Sequence, residues 1–84
     1  MNITSEIIKD ILQENQLSQE KLAKILQVSQ KAISNWIQGN DMPKASSMLA
    51  IYEKFGITPN ELLGIEERSY TKEINIKTNI RIKS

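Results

Sequence analysis

Eighty-four residues leave room for one small domain, which buries a modest share of its surface and needs well-matched packing or a partner. The chain has no cysteine and no histidine, which excludes disulfides, thiolate metal sites and the commonest general base. Net charge is only +1: residues 1–65 carry six lysines against seven acids, and residues 66–84 carry five basic against three acidic residues, so any nucleic-acid reading must rest on where the charges sit.

A first helix is expected to begin after Thr4 or Ser5, whose hydroxyls suit free backbone N–H groups at a helix start. Ile7, Ile8, Ile11 and Leu12 then make an apolar stripe at helical period, and the polar run Gln13-Glu14-Asn15-Gln16 ends it. Ser18 caps a second helix that runs to about Leu26, with Leu22, Ala23 and Leu26 facing inward. After a short turn at Gln27-Val28, Ser29 caps a third helix. Its apolar face is Ile33, Trp36 and Ile37.

The opposite face of that third helix holds Gln30, Lys31, Ser34, Asn35 and Gln38, a continuous polar stripe at 3.6-residue period. By periodicity alone it reads equally as a solvated face and as a recognition surface. Gly39 stands where a left-handed residue ends the helix. Two helices joined by so short a turn cross steeply, as in a helix-turn-helix.

The loop Asn40-Asp41-Met42-Pro43 leads to a fourth helix, Ala45 to Phe55, with an expected inner face of Ala45, Met48, Ile51, Tyr52 and Phe55. Gly56 closes it. Thr58-Pro59-Asn60-Glu61 is a capping box with proline at the first helical position, and it opens a short fifth helix ending at Gly64. The expected fold is therefore all-α, a compact five-helix domain over residues 1–65.

Residues 66–84 form a C-terminal extension: a polar linker, then a stretch in which Ile74, Ile76, Ile80 and Ile82 alternate with polar residues. Period-two alternation is a β-strand signal. Two readings stand, a basic tail without a partner, or a strand that pairs with a second copy and makes a dimer.

Residues 7–65 resemble the helix-turn-helix domain of the phage repressor, Cro and xenobiotic-response-element family, a lambda-repressor-like fold. The resemblance rests on Leu17-Ser18-Gln19-x-x-Leu22-Ala23, Val28-Ser29-x-x-x-Ile33-Ser34-x-Trp36, Gly39, Pro43 and Ile57-x-Pro59-x-Glu61-Leu62-Leu63. It implies that Ala23 is the small residue between the crossing helices, that Ile33 and Trp36 are buried, and that Gln19 touches a DNA phosphate. It also implies that Gln30 and Lys31 meet base edges in the major groove, with Ser34 and Asn35 one turn further on. Glutamine and asparagine suit adenine and lysine suits guanine, while Ser29 and Lys44 are further phosphate contacts.

Three positions depart from the family pattern. Gln27 replaces a turn glycine, Ile37 replaces a common acidic residue, and Asn40-Asp41-Met42 is poor in basic residues.

The acidic pairs Asp10/Glu14 and Glu66/Glu67 lie on an expected exposed face or in the linker, so neither an enzyme nor a metal site is expected. No apolar run approaches the roughly 20 residues that span a bilayer, and no leader is visible at the N-terminus. The expectation is a cytoplasmic regulator, a repressor on a palindromic operator, acting as a homodimer on double-stranded DNA with no cofactor, membrane or small-molecule ligand. The alternative is a protein-interaction module, such as an antitoxin or an antirepressor-like partner.

Overall fold

A computed structural model describes residues 2–68, which form five helices: α1 (Ile3–Glu14), α2 (Gln19–Leu26), α3 (Gln30–Gln38), α4 (Ala45–Phe55) and α5 (Pro59–Leu62). Among the described residues there is no strand. The expected strand, with Ile74, Ile76, Ile80 and Ile82, lies outside them.

One apolar core joins the helices. α1 contributes Ile7, Ile8 and Ile11, α2 contributes Leu22, Ala23 and Leu26, and α3 contributes Ile33 and Trp36, all buried. Ile51, Ile57 and Leu62 close it from the C-terminal half. Ala23 is buried in this core on α2, a helix that packs against α3, and a longer side chain there would have to displace a close-packed neighbour.

The termini follow local chemistry. Ser18 and Ser29 accept hydrogen bonds from the N–H groups of Lys21 (3.1 Å) and Ala32 (3.0 Å). Thr58 and Glu61 form the expected reciprocal capping box, at 3.1 and 2.8 Å. Gly39 and Gly56 end α3 and α4 with left-handed φ of 79° and 73°. Gln27 ends α2 at φ 60°, the same left-handed region, without glycine's freedom. Its N–H and that of Val28 reach back to the carbonyls of Lys24 (3.3 Å) and Ala23 (2.9 Å), which fixes the turn between α2 and α3.

Two expectations are corrected. α1 begins earlier: Asn2 is its cap, its Oδ1 accepting from the Ser5 N–H at 2.7 Å. Thr4 and Ser5 lie inside the helix and are buried, because their hydroxyls have distant partners. The Thr4 hydroxyl donates to the Leu62 carbonyl at 2.9 Å, and the Ser5 hydroxyl donates to the Ile37 carbonyl. These bonds tie α1 to the ends of α5 and α3, supplying acceptors' partners that a helix C-terminus lacks.

The second correction concerns α4. Ile51 and Ser47 are buried and Met48 and Phe55 half-buried, whereas Ala45 is exposed and Tyr52 is 49% exposed. The inner face is thus rotated toward Ser47. Ile37, by contrast, packs against the core as its apolar side chain requires.

A last fastening lies beyond α5. Arg68 donates from both terminal nitrogens to the two carboxylate oxygens of Glu14, at 3.2 and 2.8 Å, and its Nη1 lies 3.6 Å from Asp10. The arginine side chain is only 15% exposed.

Candidate nucleic-acid interface

The residues expected to read bases are brought to one face of α3. Gln30 and Lys31 occupy its first turn and are exposed; Ser34 and Asn35 lie four residues on, directly above them, and are half-buried. The helix is held at one angle from its back: Ile33 and Trp36 sit in the core, and the Ser5 hydroxyl grips its last turn. A rigid helix with a polar outer stripe is what insertion into a groove about 12 Å wide requires.

The three residues assigned to phosphate each stand at the head of a helix. Gln19 is the first residue of α2, Ser29 the cap of α3 and Lys44 the cap of α4. A helix start presents backbone N–H groups without intrahelical acceptors and the positive end of the helix dipole, which together favour an anion. Ser29 spends its oxygen lone pair on the Ala32 N–H, so toward a phosphate it can offer its hydroxyl proton. Lys44 makes no side-chain capping bond. Lys31 and Lys44 are exposed and form no ion pair among the described residues. Lys24 on the outer side of α2 is instead placed 4.0 Å from Glu20.

Residue type does not single out Asn40, which reads as an ordinary loop residue after Gly39. The structure places it at the end of a hydrogen-bonded chain on the α3 stripe. Its Nδ2 donates to Gln38 Oε1 at 3.0 Å, and Gln38 Nε2 donates to Ser34 Oγ at 3.2 Å. No periodicity signals this, because the contact depends on the left-handed turn at Gly39 bringing the chain back.

The acidic pair Asp10/Glu14 is engaged by Arg68. Glu66 and Glu67 are exposed, between the end of α5 and Arg68. Among the described residues no cluster of three or more His, Cys, Asp or Glu side chains could hold a metal ion, and no helix is long and apolar enough to cross a membrane.

Two packed helices joined by a short turn, the second serine-capped with a polar outer stripe, and a five-helix frame define a helix-turn-helix domain. Residues 6–67 match the family model described as a helix-turn-helix domain, and the chain belongs to that family. Over 65 residues, 77% of the chain, it is 38% identical to the HTH-type transcriptional activator BcrR of Enterococcus faecalis. The chain spans about a third of that relative's length, 32%. No solved structure matches it.

Proposed function

We propose that the chain is a sequence-specific, DNA-binding transcriptional regulator of the Cro and xenobiotic-response-element kind, with Gln30, Lys31, Ser34 and Asn35 reading bases and Gln19, Ser29 and Lys44 holding phosphates. The observation that carries this reading is the polar face of α3, borne on a helix whose other face is locked in the core. The membership of the helix-turn-helix family and the likeness to a transcriptional activator support it.

Charge argues for two copies. Lys31 and Lys44 are the cations at the proposed interface, and residues 1–65 sum to −1. Each phosphate neutralised contributes one increment of affinity, so one protomer binds weakly. A dimer on a palindromic operator doubles the contacts, with half-sites one helical turn, about 34–36 Å, apart. The extension over 66–84 is our candidate for pairing the copies through Ile74, Ile76, Ile80 and Ile82. Exposed Leu63 and Ile65, the latter at 69%, give an apolar approach to it.

Occupying a promoter is sufficient to block it, so we read the sign as repression. A reporter that rises when the chain is supplied would instead align it with the activator from Enterococcus. The binding test is a gel shift against promoter DNA from the chain's own locus. Sequence-selective binding, lost in Asn35→Ala and Lys31→Ala, supports the reading. Variants that bind as tightly as the parent sink the recognition-helix assignment. The weakly acidic body favours a second reading, a protein-interaction module such as an antitoxin, for which no selected DNA sequence would emerge at all.

A further inference from the structure

Ser34, Gln38 and Asn40 lie along the outer side of α3 and the loop that follows, joined by two hydrogen bonds of one polarity. Asn40 Nδ2 donates to Gln38 Oε1 at 3.0 Å, and Gln38 Nε2 donates to Ser34 Oγ at 3.2 Å. Asn40 is itself anchored, its N–H reaching the Asn35 carbonyl at 2.9 Å just past the left-handed Gly39. Each link constrains the next. An amide whose oxygen is engaged turns its N–H toward the serine, and a serine oxygen that accepts keeps its proton for another partner. Among the described residues nothing accepts from the Ser34 hydroxyl, although a serine inside a helix often turns its proton back to the carbonyl one turn earlier.

Serine alone is an ambivalent reader, able to donate to one base and accept from another. The arrangement removes that ambivalence. Resting on the DNA-binding reading above, we propose that Gln38 and Asn40 are positioning residues that fix Ser34 as a hydrogen-bond donor toward the major groove. The base opposite Ser34 then carries an acceptor on its groove edge, a purine N7, a guanine O6 or a thymine O4, and not the cytosine amino group. Gln38 and Asn40 set this preference without touching a base.

The polarity can be reversed by one atom. In Gln38→Glu, a carboxylate can only accept, so the Ser34 hydroxyl donates to it and turns lone pairs toward the groove. The same position should then tolerate or favour cytosine.

The experiment begins with the full chain and an operator selected from random DNA. Competition binding then compares every single-base change in the half-site for the parent and for Ser34→Ala, Gln38→Ala, Asn40→Ala and Gln38→Glu. Circular dichroism melting confirms that each variant is folded. One neutral hydrogen bond predicts that the parent disfavours cytosine at one position by about five- to tenfold. Ser34→Ala should flatten that position; Gln38→Ala and Asn40→Ala should reduce the preference to about twofold or less while binding to random DNA stays within about twofold. Gln38→Glu should move the preference toward cytosine. The proposal is overturned if Ser34→Ala alters no position. It is equally overturned if Gln38→Ala and Asn40→Ala keep the parent's preference at the position that Ser34→Ala flattens; in that case the DNA-binding reading still stands. Failure of the parent to select any sequence would defeat the DNA-binding reading itself.

Discussion

Gln27 shows how one residue can conflict with the turn it occupies. Its φ of 60° and ψ of 44° are left-handed, and a side chain there costs about 1–2 kcal/mol. Glycine would relieve that strain but lose more chain entropy on folding, about 0.5–1 kcal/mol. Gln27→Gly should therefore stabilise the domain by a net amount under about 1 kcal/mol, read as a higher midpoint in urea. An unchanged or lower midpoint would mean that the strain relieved does not exceed the entropy that glycine loses. Ala23 is the opposite case, where the small residue is the fitting one. It is buried in the core on α2, so Ala23→Leu should overpack it and cost about 1–3 kcal/mol. Gln38→Ala, on the exposed stripe, should stay within about 0.5 kcal/mol of the parent. Equal urea midpoints for these two variants would overturn the inward assignment of Ala23.

At the scale of the helix, most of the frame was legible because the signals at helix ends are local. Ser18, Ser29, Gly39, Gly56 and the Thr58–Glu61 box each act within one turn, so the residues that announce a terminus also make it. The start of α1 was illegible for the converse reason. Asn2, Thr4 and Ser5 can all cap, and the choice among them was made by the Leu62 and Ile37 carbonyls, 58 and 32 residues away. The inner face of α4 was ambiguous as well: Met48, Leu49, Ala50, Ile51, Tyr52 and Phe55 encircle the helix, and only packing selects Ile51 over Tyr52. The base-reading stripe was visible as a face, but the bonds joining Ser34, Gln38 and Asn40 were not. Thr4 gives the test of the long-range tie. Thr4→Val keeps the shape and removes the donor, leaving the Leu62 carbonyl without it. The cost should be about 1–3 kcal/mol, seen as a lower melting temperature. A parent-like melt would show that the hydroxyl only fills space.

For the molecule as a whole, the question is where the folded body ends and what the extension adds. Arg68 answers the first part in physical terms. α1 ends with Glu14 in its last turn and no basic residue there, an arrangement that the helix dipole disfavours. The guanidinium of Arg68 supplies the missing positive charge from 54 residues away, with paired hydrogen bonds to Glu14. Arg68 lies beyond the boundary expected after Ile65, so a chain cut there loses this fastening. Both carboxylates are more than a third exposed, so screening limits the gain to about 0.5–1 kcal/mol. For a domain of this size, 1 kcal/mol moves the melting temperature by about 4–8 °C. A cut after Ile65 and the variant Arg68→Ala should thus both melt a few degrees below a cut after Arg68. The gap should shrink in high salt, as expected for partly exposed ion pairs. The cut after Arg68 should lose self-association, because it removes Ile74, Ile76, Ile80 and Ile82, and should melt at or below the full chain, since pairing stabilises the folded state. Sedimentation separates the two roles. If this shorter chain keeps the full chain's mass distribution, the isoleucines do not pair the copies; if the two cuts melt together at low salt, Arg68 does not fasten α1.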